Sequence, residues 1–113
     1  MKKVLMYLVV GTILLHSCGE VESPMENKGN IQALDEIKKE PKIHEAFIND
    51  ANVLYVSVDD DGSNRDGYAQ YLCEILKEKK ASCSMVKVIK VNSMNDPNSD
   101  NAFGIVLGES NCE

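Results

Sequence analysis

The sequence predicts a small two-layer α+β domain whose elements follow the order helix, strand, helix, strand, strand. The first reason is Val53–Val58, which is β-branched, aromatic and apolar on both faces apart from one serine, a composition typical of a covered strand. The second is the helical spacing of apolar residues over residues 65–80, which precede another strand-like run at residues 85–91. Two strands joined through a helix should be parallel with a right-handed crossover.

The first helix is predicted over residues 31–40, where apolar side chains recur at helical spacing among good helix formers. Pro41 interrupts this helix, because proline lacks an amide proton and its ring clashes with the preceding turn. A second short helix can begin at Pro41 and continue to residue 48. The polar residues 49–52 then form the turn that leads into the first strand.

The second main helix is predicted over residues 65–80, and its apolar stripe includes Cys73. Two strands follow over residues 85–91 and 102–107, separated by a loop made mostly of Asn, Asp, Ser and Pro. These strands should form an antiparallel hairpin. If its loop is centred at Pro97 and Asn98, the numbers of facing residues sum to about 195.

The N-terminus has the pattern of an export signal. Lys2 and Lys3 precede an apolar run of about twelve residues, which is shorter than the roughly 20 that a membrane-spanning helix needs. Residues 15–18, Leu-His-Ser-Cys, resemble the lipobox of bacterial lipoproteins, in which an aliphatic residue and two mostly small residues precede an invariant cysteine. His16 departs from that pattern. An ordinary secretory signal or an uncleaved anchor is the alternative interpretation.

The lipobox resemblance implies three parts. Residues 1–17 are a signal peptide, and cleavage leaves Cys18 as a lipidated N-terminus that carries diacylglycerol and a fatty acyl chain such as palmitate. Residues 18–30 form a flexible tether and residues 31–113 form a single domain. We therefore expect a protein of the cell envelope, held by lipid in the outer membrane of a Gram-negative bacterium and facing the periplasm or the cell surface.

Charge excludes one class of partner. The loss of Lys2 and Lys3 leaves ten basic and eighteen acidic residues, a formal charge of −8, so nucleic acid is a poor partner. Because His16 leaves with the signal peptide, His44 is the one histidine of the mature chain. Mechanisms that need two histidines are excluded, and we interpret His44 as a surface residue.

Three cysteines remain after lipidation in an oxidising compartment, so one disulfide is expected. The predicted hairpin register pairs Cys83 with Cys112, while Cys73 remains buried on its helix as a small apolar residue. Pairing of Cys73 with Cys83, which leaves Cys112 free, is the alternative.

The loop after the first predicted strand is the strongest candidate for chemistry. Residues 59–63, Asp-Asp-Asp-Gly-Ser, resemble the first motif of the haloacid dehalogenase-like phosphatases, and the resemblance implies Asp59 as nucleophile and Asp61 as acid/base. Such enzymes also need a lysine and an acidic metal pair on a larger doubly wound sheet, which this chain is too short to supply. A weak cation site at Asp59 and Asp61 is a second interpretation, although the spacing fails the EF-hand pattern because of Gly62 and Gln70.

The favoured interpretation is a solvated loop that caps the following helix and contacts a partner. Its residues are Asp59, Asp60, Asp61, Asn64 and Arg65. We therefore predict a lipid-anchored, non-enzymatic domain without a cofactor, which binds a protein or envelope component or a second copy through a lightly covered sheet face. The alternatives are an inhibitor or immunity-type lipoprotein that covers a basic enzyme, and a cation-dependent hydrolase that uses Asp59 and Asp61.

Overall fold

The computed structural model describes residues 23–93 and 103–113, which form a four-stranded sheet with two helices packed on one face. The predicted signal peptide and Cys18 lie outside these residues. The elements are, in chain order, a 3-10 turn at Pro24–Glu26, α1 (Lys28–Ile37), β1 (Glu45–Ile48), β2 (Val53–Val58), α2 (Asp66–Glu78), β3 (Met85–Lys90) and β4 (Val106–Asn111).

The predicted α+β class is confirmed. The strand order is β1-β2-β3-β4, with β2 and β3 parallel through the α2 crossover and β3 and β4 antiparallel. Alternate residues of β2, β3 and β1 point into one core against the apolar stripes of both helices. The core side chains include Ala33, Leu34, Ile37, Ala46, Ile48, Leu54, Val56, Val58, Ala69, Leu72, Leu76, Val86 and Val88.

The short helix predicted over residues 41–48 is wrong, because its second half is strand β1, which pairs antiparallel with β2. The reason lies in the turn between them. The Asn49 side-chain oxygen accepts hydrogen bonds from the amides of Ala51 and Val53, and Asn52 adopts a left-handed φ of 64°. Local turn chemistry of this kind directs the chain into a hairpin, and β1 then buries alternate residues against the core.

The last strand begins later than predicted, at Val106 instead of residue 102. The register is nevertheless within one residue of the prediction, since Met85 faces Asn111 and Val88 faces Gly108. An irregularity between Val88 and Ile89 shifts the pairing at the far end of the hairpin. A bulge of this kind adds a residue to one strand and increases its local twist.

The flexible tether predicted over residues 18–30 is wrong for its described part. Residues 24–26 form the 3-10 turn, and α1 begins at Lys28, where the Asn27 side chain accepts a hydrogen bond from the Asn30 amide. Asparagine is a preferred residue for this N-cap contact. The folded domain therefore begins only a few residues after Cys18.

A buried asparagine joins this first turn to the sheet. Asn30 is fully buried, and its side-chain nitrogen donates to the carbonyl oxygen of Pro24 (2.8 Å), Asn52 Oδ1 (3.0 Å) and Ser82 Oγ (3.1 Å). Its side-chain oxygen accepts from the buried amide of Cys83 at 3.0 Å. The Asn30 side chain thus holds the N-terminal turn of the domain against the residues that precede β2 and β3.

Replacing Asn30 with alanine should lower the free energy of unfolding by about 3 kcal/mol, because it leaves the buried Cys83 amide without its acceptor. Urea denaturation measures the change. The matched control is Asn111→Ala on the exposed end of β4, where we expect a change within about 0.5 kcal/mol. Equal effects of the two substitutions would contradict the role assigned to Asn30.

Candidate functional site

The predicted acidic loop follows β2 at the carboxyl end of the two parallel strands, a common place for ligand sites in such sheets. Its first two carboxylates are directed to different side chains. Asp59 Oδ1 lies 2.9 Å from His44 Nε2, and Asp60 Oδ2 lies 4.0 Å from Lys90 Nζ. His44 is thus a loop partner of Asp59. These pairs are largely exposed, so each contributes little to stability.

The third carboxylate of the loop is bound within the loop itself. Asp61 Oδ1 accepts hydrogen bonds from the Ser63 hydroxyl and amide, and Asp61 Oδ2 lies 3.4 Å from Arg65 Nη2. The Ser63 hydrogen bonds are the main reason that the pKa of Asp61 is lowered, and the Arg65 charge adds to this effect. Asp61 is accordingly held in its ionised form.

Arg65 is the most buried charged side chain of the loop, with 13% of its side chain exposed. Its Nη2 donates to the backbone oxygen of Asp59 at 3.0 Å, and its Nε is buried without a hydrogen-bond partner in the described residues. Asn64 accepts from the Asp66 amide at 2.8 Å, but the N-cap of α2 is Arg65, which makes no side-chain cap hydrogen bond, so the predicted cap is wrong. Arg65 and Asn64 therefore fix the loop to the start of the helix.

The loop lines one surface cavity, and the contact of Asp59 with His44 connects it to the lining of a second. One cavity of about 290 Å³ is lined by Lys42, Val58, Asp59, Asp61 and Arg65. The other, of about 370 Å³, is lined by Lys38, Ile43, His44, Glu45 and Ala46. Within residues 23–93 and 103–113, no three side chains of His, Cys, Asp or Glu are grouped so that they could hold a metal ion.

Beside the loop lies a tyrosine pair that sequence reasoning missed. The Tyr68 and Tyr71 rings are stacked with centroids 5.8 Å apart, and both hydroxyls lie within hydrogen-bonding distance of the Glu40 carboxylate. Lys42 Nζ lies 5.4 Å from the centre of the Tyr68 ring. Burial, followed by the Glu40 charge, raises the pKa of Tyr68 to about 12. The signal available in the sequence was the three-residue spacing of Tyr68 and Tyr71, which places both rings on one face of α2.

The disulfide joins Cys73 to Cys112, with their Cα atoms 5.1 Å apart, and Cys83 is free and buried. The predicted Cys83–Cys112 pair and the alternative Cys73–Cys83 pair are both wrong. The Cys112 amide donates to Ser84 O at 2.7 Å, so Cys112 faces Ser84 and not Cys83. A shift of one residue turns a strand side chain to the other face. Cys112 thereby meets the buried stripe of α2, and burial raises the pKa of the Cys83 thiol.

The sheet face opposite the helices carries an apolar surface. The Phe47 and Tyr55 rings stack at 5.3 Å between centroids, and the Phe103 ring lies 5.0 Å from Tyr55 and 6.3 Å from Phe47. Phe103, Ile105 and Val106 are 43%, 44% and 40% exposed. We call Phe47, Tyr55 and Phe103 the open-face patch. The alternation of residues in β1 and β2 was the signal for its centre, but nothing in the sequence placed Phe103 over Tyr55.

In the part of the chain that the structure describes, no helix combines the length and the apolar character needed to cross a membrane. Comparison with known proteins gives no relative from which a role could be transferred. The chain matches no protein-family model, no curated protein and no solved structure.

Proposed function

We propose that this protein is a lipid-anchored component of the cell envelope whose domain binds a protein or another envelope component through the open-face patch. The observation that carries the proposal is the exposure of Phe103 beside the stacked rings of Phe47 and Tyr55. Exposed apolar side chains that are contiguous on a small domain are typical of interaction sites. Aromatic residues contribute much of the binding energy in such sites.

A non-enzymatic role is proposed for the acidic loop as well. Asp59 and Asp61, the residues that the phosphatase resemblance implies as nucleophile and acid/base, contact separate side chains, His44 and Arg65. A loop whose carboxylates are paired within the domain can still contact a partner through exposed polar groups. We therefore assign it to the rim of the binding surface, where polar residues surround an apolar centre.

The lipid anchor is proposed on residues 15–18. Cys18→Ala should release the protein from the membrane fraction or leave the signal peptide uncleaved, because no cysteine would remain to accept the lipid. Fractionation with immunoblotting and mass determination measures both outcomes. His16→Ala is the matched control and should be processed normally, since that lipobox position tolerates varied residues. Unchanged membrane association of Cys18→Ala would contradict the lipid anchor.

The binding surface is tested by crosslinking and affinity capture from native membranes. Phe103→Asp should remove the captured partner, since a carboxylate in the centre of an apolar contact loses its hydration. The control is Tyr71→Ser on α2, whose side chain is similarly exposed but lies outside the open-face patch. Thermal melting checks that both variants are folded. A partner that is captured equally by Phe103→Asp and the unmodified protein would contradict the assignment of the patch.

A further inference from the structure

The described fold begins close to the proposed anchor. Ser23 is five residues beyond Cys18, and a fully extended chain of that length reaches about 18 Å. Pro24 is fixed to the domain through its carbonyl oxygen, which accepts from the buried Asn30 side chain. The end of the domain that contains Pro24 is therefore confined near the bilayer whenever Cys18 carries lipid.

The hydrogen bonds of Asn30 identify which end of the domain this is. Asn30 contacts Asn52 and Ser82, which precede the starts of the parallel strands β2 and β3. We call this the near end. Both strands run away from it, and six residues of β2 at about 3.3 Å each place the acidic loop roughly 20 Å farther along the strand direction. The acidic loop thus marks the far end.

The near end also exposes apolar side chains. Met25 is 46% exposed and Ile31 is 39% exposed, and Lys28 lies one helical turn before Ile31 on the exposed side of α1. Apolar side chains with a neighbouring lysine suit the boundary between lipid headgroups and acyl chains, because the lysine stem lies among apolar groups while its charge remains hydrated. We call Met25, Lys28 and Ile31 the near-end patch.

We propose that the near-end patch contacts the surface of the bilayer that holds Cys18, so that the domain stands upright with its acidic loop directed away from the membrane. This inference rests on the proposed lipid anchor. The short distance from Cys18 brings the patch to the bilayer, and its apolar side chains hold it there. The exposed apolar residues Phe103, Ile105 and Val106 are left accessible to a partner. Ile105 and Val106 lie beside the C-terminal end of β3, which is the end farther from the near end of the domain.

The test uses the lipidated full-length mature protein in phosphatidylcholine vesicles that contain a lipid with a headgroup-attached quencher. A fluorophore is placed at Ala51→Cys in the near-end turn or at Ser63→Cys in the acidic loop, in a Cys83→Ala background that keeps the disulfide. Both positions are exposed. We expect several-fold stronger quenching at position 51 than at position 63. Met25→Ser with Ile31→Ser should reduce the quenching at position 51, whereas Ile105→Ser, an exposed isoleucine far from the near end, should leave it unchanged.

Each outcome has a separate meaning. Equal quenching at both positions of protein that carries lipid and sediments with the vesicles overturns the upright orientation but not the anchor. Quenching at position 51 that is insensitive to the double serine substitution overturns the near-end patch as the contact. Protein that lacks the lipid mass and stays in solution overturns the proposed anchor and this inference together.

Discussion

Replacing both Cys73 and Cys112 with serine should lower the free energy of unfolding by about 4 kcal/mol. The disulfide joins residues 39 positions apart, and a crosslink across a loop of that length restricts the unfolded chain by about that amount in a chain-entropy description. Both sulfur atoms belong to buried residues of the core. Urea denaturation of the double variant beside the unmodified protein measures the difference.

The third cysteine of the described residues provides the control. Cys83 is free and buried, so Cys83→Ala removes a small apolar side chain and should cost only about 1 kcal/mol. Peptide mapping without reductant should find Cys83 alkylated after unfolding and residues 73 and 112 in one linked fragment. A linked fragment that contains Cys83 would contradict the pairing, as would a larger loss of stability for Cys83→Ala than for the double variant.

The size of this contribution connects the fold to the proposed location. A small domain has a total stability of about 5 to 15 kcal/mol, so the disulfide accounts for a large share of it. Disulfides persist in oxidising compartments such as the periplasm and are kept reduced in the cytosol. A chain that stays in the cytosol should therefore be much less stable than one that is exported. The proposed signal peptide would then determine the stability of the domain as well as its location, because export allows the disulfide to form.

Local sequence signals were sufficient for the elements around the crossover. Val53–Val58 is a strand with the predicted bounds, because its β-branched residues leave no competing helical pattern. The helix predicted over residues 65–80 is α2, Asp66–Glu78, since its apolar stripe has the helical period. The loop composition between the last strands likewise fixed their register to within one residue.

The failures come from interactions that depend on distant residues. Residues 43, 46 and 47 have a spacing compatible with a helix, but the hairpin turn and the pairing with β2 make this segment a strand. The predicted disulfide failed on a single position of register, which decides whether Cys112 faces Cys83 or the α2 stripe. Periodicity alone cannot resolve a difference of one residue.

In the candidate site, too, local sequence predicts the loop but not its contacts with residues distant in sequence. The composition of Asp59 to Asp61 predicts the observed loop, whereas Asn64, predicted to cap α2, lies one residue before the actual N-cap, Arg65. The side chains that contact Asp59 and Asp60 are His44 and Lys90, which come from β-strand ends remote in sequence. Such partners become adjacent only when the strands pair, so no local pattern reveals them.

Gly108→Ala should lower the free energy of unfolding by about 3 kcal/mol, because α2 begins directly against β4 at this glycine. The Arg65 amide donates to Leu107 O at 3.0 Å, and the Asp66 carboxylate accepts from the Glu109 amide at 2.9 Å. These two hydrogen bonds flank Gly108, and a Cβ atom there would overlap the backbone of Arg65 and Asp66. Backbone atoms cannot move aside as a flexible side chain can, so overpacking at this position is costly.

A second glycine of α2 should respond in the opposite direction. Gly67 lies in the first turn of the helix, and a Cβ atom there meets nothing within 4 Å. Gly67→Ala should therefore raise the free energy of unfolding by about 0.5 to 1 kcal/mol, since alanine restricts the unfolded chain and favours the helix. Urea denaturation of the two alanine variants gives the comparison. If Gly108→Ala were as stable as Gly67→Ala, the start of α2 would not pack directly against β4 at Gly108. The contact with β4 would then not explain the position of Arg65.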